Sequence, residues 1–329
     1  RLWRQAAGRA RRLPHALRAE QHPMNTSSFR RRARGFTLVE MIIVIVITGI
    51  IGGMVAMFIR LPVQGYIDAN ARADLADLAD TAARRIARDV RLALPNSLRV
   101  SADGKYLELL LTTSGGRYLS EDDAPGLGAV LAFNPVAAGA NANQFTVVGS
   151  APAIAPGDFI AVYNMGDNLP DAYGCAVNAG ICNLAQVDTV SGTLVTLKGN
   201  PFLAQSPQKF PSPSHRFQVV TTPVSYVCDP QAGTLTRYSG YVIQAAQPLD
   251  AAASPLSTAP VRALLAQKIL KNTVKRSGQT AAPPEGCFTY EVLKNGPRGL
   301  LSIVLSLGAE NSNTGTLRLV QQVQVSNTP

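Results

Sequence analysis

One apolar segment near the N-terminus constrains this chain more than any other feature. From Phe36 to Ile59 the sequence runs for 24 residues with Glu40 as its only charged side chain. At roughly 1.5 Å per residue, a helix of that length rises about 36 Å and spans a bilayer with some tilt. A carboxylate inside such a helix costs about 2.5–3.5 kcal/mol on insertion scales, less near the interface. The sequence therefore predicts a membrane helix in which Glu40 needs a partner.

A run of basic residues precedes this segment and bears on its orientation. The run consists of Arg30, Arg31, Arg32 and Arg34. Because clustered basic residues stay on the cytoplasmic side of the inner membrane, the bulk of the chain is expected in the periplasm. Residues 1–35 hold ten of the 31 Lys and Arg and one of the 21 Asp and Glu, so the net charge of +10 belongs almost wholly to this end. The rest of the chain is nearly neutral, and we expect no nucleic-acid partner.

The junction between the basic run and the apolar segment reads Gly-Phe-Thr-Leu-Val-Glu, from Gly35 to Glu40. This motif resembles the type III signal of type IV pilins and of type II secretion pseudopilins. The resemblance implies that a prepilin peptidase cuts between Gly35 and Phe36, and that Phe36 becomes the N-methylated first residue. It also implies that Glu40 pairs with the N-terminal amine of a neighbouring subunit when the chain assembles with other major and minor pilins.

Two other interpretations fit a long apolar segment. An ordinary single-pass anchor would let Glu40 reach toward the headgroups without any role in assembly. A secretory signal peptide would have an apolar core of about 7–15 residues with a small-residue cleavage site close behind it. Here the core is longer, and the nearest Ala-x-Ala begins ten residues past Ile59, at Ala69. The prepilin interpretation is therefore favoured.

The sequence beyond Ile59 predicts a continuing amphipathic helix. Asp80, Arg84 and Arg88 stand four apart on a face that is expected to be exposed. Pro95 is expected to end the helix. The opposite face is apolar, with spacings of three and four that match one helix face; its residues are Leu75, Leu78, Ala82, Ile86, Val90 and Ala93.

From Leu98 onward the pattern predicts strands, because β-branched and aromatic runs alternate with Gly, Pro and Asn. Val261–Lys271 is ambiguous between a strand and a short helix. Pro201–Ser214 is expected to be a long surface loop, because it is poor in bulky apolar residues. The expected fold class is α+β and pilin-like, with a long N-terminal helix packed on a β-rich globular head. That head forms either one β subdomain or two, divided near residues 200–215.

These observations together predict a linear organisation of the chain. Starting at Met24 gives a leader of twelve residues, similar in length to leaders of the prepilin family, so the preceding stretch is expected to come from an over-extended reading frame. The expected parts are 1–23 as that extension, 24–35 as the leader, 36–59 as the transmembrane helix, 60–94 as its amphipathic continuation and 95–329 as the periplasmic head.

Four cysteines lie in the part expected in the periplasm, which is an oxidising compartment. Four cysteines allow three pairings. We favour Cys175 with Cys182, which enclose a short loop able to bend back on itself, and Cys228 with Cys287, which each border a strand-like segment. A metal site is disfavoured, because no Cys-x-x-Cys pair and no nearby histidine accompany them.

Catalytic chemistry has little support in the sequence. Hydrolysis usually needs an activated nucleophile and a base, and His215 is the one histidine of the predicted head. It lies in a Pro- and Ser-rich loop, where we expect an exposed polar side chain. The carboxylates of Glu121–Asp123 are expected to form a solvated turn, since no Gly-punctuated calcium loop surrounds them. We predict no enzyme activity, no cofactor and no metal.

Four segments of the chain extend the family resemblance. They resemble the J-type minor pseudopilins and the W-type minor pilins, and most of all the MSHA-biogenesis minor pilins of the MshO type. The resemblance implies a minor structural subunit at or near the tip of a type IV fibre. A pseudopilin of a type II secretion system and an adhesin carried on a pilus remain the alternatives. The segments are 58–66, 84–89, 94–97 and 223–238.

Overall fold

The computed structural model describes residues 35–329 with five gaps in the chain. The predicted N-terminal extension and leader lie outside the described residues, apart from Gly35. The chain divides into two compact units, of which the second begins at Leu61. The gaps are 124–125, 167–168, 273–284, 293–297 and 309–314, and the side chain of Leu61 is also not described.

One helix, α1, spans Leu38–Arg91 and passes through Pro62. In the described part of the chain it is the one helix long and apolar enough to cross a membrane, judged by length and composition. The sequence places the end of the helix at Leu94, but α1 ends earlier because the backbone joins the sheet there. The Leu94 amide donates a hydrogen bond to the carbonyl oxygen of Leu110 at 2.8 Å.

The described residues after the helix form twelve strands, all paired in antiparallel fashion. Nine of these strands, β1 to β9, form one sheet, and β10 to β12 form a second. The strands are β1 (Arg99–Val100), β2 (Tyr106–Tyr118), β3 (Gln144–Val148), β4 (Phe159–Ala161), β5 (Leu184–Ser191), β6 (Leu194–Leu197), β7 (Arg216–Asp229), β8 (Thr234–Ser239), β9 (Val261–Gln267), β10 (Phe288–Val292), β11 (Arg298–Leu307) and β12 (Leu317–Ser326).

The C-terminal part of α1 packs on both sheets and forms the first hydrophobic core. Its buried face contains four alanines, whose small side chains let the helix lie close to the strands, and Ile86, which is fully buried. Burying one such isoleucine stabilises the fold by about 1.5–3 kcal/mol. The strands contribute side chains such as Leu109, Tyr226 and Leu305. The apolar spacing of three and four in the sequence thus marks the face that is buried.

A second core lies inside a closed ring of six strands. In this ring β2 pairs with β3, β3 with β6, β6 with β5, β5 with β4, β4 with β7, and β7 again with β2. The interior is filled by aromatic and branched side chains, including Tyr118, Phe145, Phe202 and Phe217. Closing a sheet in this way leaves no free strand edges within the ring. We call this ring the barrel.

The long strands β2 and β7 belong to both cores. In β2, Leu109 faces the helix-packed core and Tyr118 lies in the barrel. In β7, Tyr226 faces the helix-packed core and Phe217 lies in the barrel. The pairing of β2 with β7 shifts register around Thr112, as at a β-bulge, between these two stretches. The head therefore has two hydrophobic cores, and the second is built from chain inserted between β2 and β7 rather than from a division near residues 200–215.

Candidate functional site

The helix begins directly after the predicted cleavage position. Because α1 starts at Leu38, Thr37 is its N-cap residue, and the Thr37 hydroxyl oxygen accepts a hydrogen bond from the Glu40 amide at 3.3 Å. A threonine followed by a glutamate at the third helical position is the spacing of a capping box. The local sequence thus orders the helix start and places Glu40 in its first turn.

The Glu40 side chain lies on an apolar, exposed stretch of helix. Phe36 has 80% of its surface exposed, and every residue from Leu38 to Ile59 is exposed. The Glu40 carboxylate forms no ion pair or hydrogen bond with any residue that the structure describes. An ionised group in apolar surroundings is costly until it is paired. The segment therefore offers one anionic group and a long apolar surface, and neither has a partner among the residues that the structure describes.

A buried ion pair holds the C-terminal part of α1 on the sheet. The Asp89 carboxylate accepts hydrogen bonds from the Tyr226 hydroxyl at 2.6 Å and from the Arg237 Nε at 2.9 Å. Both charged side chains are nearly nine-tenths buried, and Arg237 also donates to the Ser239 hydroxyl. Burial, together with the negative charge of Asp89, raises the pKa of Tyr226. A buried pair of this kind fixes one geometry, because removing either partner leaves an uncompensated charge.

A second polar network surrounds Glu108, which is fully buried in β2. Its carboxylate accepts from the Arg99 Nε at 2.6 Å and from the Tyr241 hydroxyl at 2.8 Å. Burial raises the pKa of Glu108, although Arg99 opposes this shift. The Arg99 guanidinium also lies 3.7 Å from the ring centroid of Tyr173. No local sequence pattern marks this network, because Tyr241 lies 133 residues from Glu108 and meets it only in the fold, although Arg99 is the partner of Glu108 on the neighbouring strand.

Two disulfides are present in the head. Cys175 and Cys182 bridge a short loop, in which the Asn178 side chain accepts a hydrogen bond from the Gly180 amide at 2.9 Å. Cys228, in β7, pairs with Cys287, which directly precedes β10, and this bond joins the two sheets at the helix-packed core. All four cysteines are thus engaged in bonds that stabilise structure.

His215 lies beside a cleft of about 430 Å³ at one end of the barrel. Its side chain is 22% exposed rather than fully exposed, because the Arg117 guanidinium lies 3.2 Å from Nδ1 and Asp122 lies 3.5 Å from Nε2. The hydroxyls that line this cleft are engaged elsewhere: Ser120 donates to Asp123, and Ser212 accepts from a backbone amide. No nucleophile is aligned with His215 among the described residues.

The carboxylates next to this cleft form a turn rather than a ligand set. Asp123 accepts hydrogen bonds from Arg117 at 2.6 Å and from the Ser120 amide at 2.8 Å. The bond from Arg117, followed by the bond from Ser120, lowers the pKa of Asp123 to about 2. Within the described ranges, no group of three or more His, Cys, Asp or Glu side chains is placed to hold a metal ion.

Comparison with known proteins adds one finding at the N-terminus. Residues 30–56 match the prokaryotic N-terminal methylation motif, and this match contains Gly35, Phe36 and Glu40. No curated protein and no solved structure matches the chain significantly. The motif supports a type IV pilin or pseudopilin-like subunit, a structural rather than an enzymatic class, which is processed by prepilin peptidase and assembles with other pilins. The motif, the long apolar helix and the β-rich sheet domain behind it fit a membrane-anchored protein with an α+β, pilin-like fold.

Proposed function

We propose that this chain is a minor pilin-like subunit of a type IV, MSHA-type pilus, incorporated at or near the fibre tip. The observation that carries the proposal is the methylation motif at residues 30–56 on a helix whose Glu40 has no partner among the described residues. The MSHA-type assignment rests in addition on the resemblance of segments 58–66 and 223–238 to minor pilins of that system. In this proposal the chain does no chemistry of its own.

The proposed topology follows from the charges at the N-terminus. The basic run before Gly35 stays in the cytoplasm, residues 36–59 cross the inner membrane, and residues from about 95 onward form the periplasmic head. Prepilin peptidase removes the leader, 24–35, after Gly35. The new amine at Phe36 is then methylated. The Cys228–Cys287 bond fits this location, because the periplasm supports disulfide formation.

Assembly would use Glu40 as an electrostatic contact. In a membrane, where the dielectric constant is low, the Glu40 carboxylate is stabilised most when a cation lies within hydrogen-bond distance. The Phe36 amine of an adjacent subunit is a cation that each processed copy supplies, so pairing would satisfy both charges. A subunit at the extreme tip has no neighbour above it. That this chain has Glu40 therefore supports a position below another subunit.

Replacing Glu40 with valine tests this proposal. The Glu40→Val variant should insert and be cleaved at least as well as the native chain, because it removes a charge from an apolar helix. It should be recovered poorly with partner pilins at equal membrane levels. Thr48→Val is the matched control, since its hydroxyl bonds to backbone carbonyls of its own helix and should not affect recruitment. Undiminished recruitment of Glu40→Val would contradict the proposal.

The structure also supports a second candidate, an adhesin carried on the fibre. The barrel is a separate core beyond what packing against the helix requires, and its His215 cleft opens to solvent. An adhesin would retain an external ligand on fibres, whereas a purely structural subunit would co-purify with other minor pilins alone.

A type II secretion pseudopilin is the other alternative. Loss of protein secretion, rather than of surface fibres, on deletion would favour it.

A further inference from the structure

The nine-stranded sheet of the head is interrupted beside β7. On the side of β7 that faces away from β2, residues 218–220 pair with β4 and residues 224–229 pair with β8. No described strand pairs on that side with residues 221–223, although β2 pairs with Pro223 on the other side. At about 3.3 Å per residue, the gap between β4 and β8 is about 10 Å long.

A cavity of about 570 Å³ lies at this gap and opens to solvent. Its lining includes Phe159 of β4, Thr221 and Thr222 of β7, and Tyr241, which lies just after β8. Ligand pockets in proteins usually measure about 300–1,000 Å³. The gap therefore has the position of a missing strand segment and the volume of a ligand site.

The walls of this cavity are held in place by covalent and hydrogen bonds. Cys175, in one wall, belongs to the short disulfide loop. The Tyr173 hydroxyl donates a hydrogen bond to the Ser97 carbonyl oxygen at 3.0 Å, and the Tyr241 hydroxyl donates to the Glu108 carboxylate at 2.8 Å. Because both phenolic hydroxyls are engaged, the two tyrosines offer the cavity apolar surface. A site whose walls are already ordered loses less conformational entropy when a ligand binds.

The lining of the cavity is uncharged. No Asp, Glu, Lys, Arg or His side chain is among the described residues that surround it. Its polar side chains are those of Gln186, Thr221 and Thr222, and the Thr222 hydroxyl already accepts a hydrogen bond from the Gly240 amide at 3.3 Å. At the rim, 75% of Val242 is exposed. A charged group would lose its hydration in this cavity without gaining a partner, so the group that enters is uncharged.

The length of the gap and the chemistry of its lining together indicate the occupant. A peptide that adds to a sheet binds through its main chain, and pockets in the protein receive its alternate side chains. We propose that the cavity between β4 and β8 binds an extended, uncharged peptide segment of another protein. The segment lies beside residues 221–223 and places one apolar side chain against Tyr173 and Tyr241. This inference goes beyond the proposed function, because the residues that carry it lie outside α1 and outside the methylation motif.

Binding of a defined peptide pool to the full chain in detergent tests this proposal. The pool contains short peptides with blocked ends that alternate threonine with leucine, valine or phenylalanine, each labelled for fluorescence anisotropy. Members of the pool should bind saturably. N-methylated versions of the same peptides keep their side chains but lose main-chain donors, so their affinity should fall about tenfold or more. Absence of saturable binding by every peptide, or equal affinity after N-methylation, would overturn the proposal.

Two exposed valines provide a matched pair of variants. Val242 lines the cavity, whereas Val177 is exposed to almost the same extent, 73%, and does not line it. Val242→Asp should weaken peptide binding about tenfold, because its carboxylate would lose hydration when an apolar segment covers it. Val177→Asp should bind like the native chain. Equal affinities of the native chain and both variants would indicate adsorption to the micelle and would overturn the proposal.

Photo-crosslinking shows where the peptide binds. A binding peptide that carries a benzophenone side chain in place of one apolar residue should label residues 221–223 or 240–243, identified by mass spectrometry. Labels mainly at other residues would overturn the proposal. Peptide mapping without reduction shows whether each variant keeps both disulfides and is folded. Glu40→Val should bind the peptides as the native chain does, so failure of this proposal and failure of the proposed function are seen in different measurements.

Discussion

Ile47 and Ile86 are the same residue type in the same helix, yet 49% of Ile47 is exposed and none of Ile86. Around Ile86 the chain supplies its own partners, from the strands of both sheets. Around Ile47 the first unit supplies none among the described residues. The two units therefore obtain their stability from different sources. The head is stabilised by its own cores, whereas the apolar N-terminal segment needs a membrane or neighbouring subunits.

The same substitution, isoleucine to alanine, should have very different effects in the two units. Ile86→Ala should lower the free energy of unfolding of the head by about 2–5 kcal/mol, because it leaves a cavity in a packed core. Ile47→Ala should change it by less than about 0.5 kcal/mol, since that side chain touches no core. Chemical denaturation of the full chain in detergent, followed by tyrosine fluorescence of the head, measures both. Similar effects of the two variants would contradict the division.

The two disulfides should also differ in how much each stabilises the head. Removing Cys228 and Cys287 together, as alanines, should cost about 2–4 kcal/mol, because the bond closes a loop of 59 residues and joins both sheets. Removing Cys175 and Cys182 should cost less, since their separation is only 7 residues. Thermal unfolding of both double variants gives the order. Recovery of four free thiols from periplasmic material would contradict the topology as well.

The smallest expected effect is on the pH dependence of stability, through Asp123 at the end of the barrel where His215 lies. Because the pKa of Asp123 is lowered from 3.8 to about 2, its ionised form stabilises the fold above pH 3.8, and this contribution is lost as the pH falls toward about 2. Arg117→Met removes the largest cause of the pKa shift. The free energy of unfolding of this variant should therefore depend less on pH between these values. Arg216→Met, on an exposed neighbour, is the control. If the free energy of unfolding of Arg117→Met falls with decreasing pH as it does in the native chain, the Arg117–Asp123 pair makes no measurable contribution to stability.

Features set by local chemistry could be predicted from the sequence. The long helix follows from an unbroken apolar run and a regular apolar spacing, and the buried face around Ile86 was expected from that spacing. The α+β class follows from the same patterns. In the ambiguous segment Val261–Lys271, the residues Val261–Gln267 form the edge strand β9, because they pair with β8. Its type was set by a neighbour in the sheet rather than by its own composition.

Features set by distant pairing could not be predicted. The barrel exists because β2 pairs with β7 and β3, and no local signal reports such closure. For the same reason, Pro201–Ser214 was expected to be a surface loop, yet Phe202 in it is fully buried in the barrel. The hydrogen bond from Tyr241 to the buried Glu108 likewise joins residues 133 positions apart in the chain.

The N-terminal residue of the mature chain shows whether this protein is processed as a pilin-like subunit. Intact-mass and N-terminal peptide analysis of the protein from native membranes should find a mature form that begins with N-methylated Phe36. A Gly35→Leu variant should keep its leader, because a bulky side chain then stands beside the scissile bond. A mature native chain that begins at any other residue, or that keeps the basic run, would contradict the assignment of this protein as a processed fibre subunit.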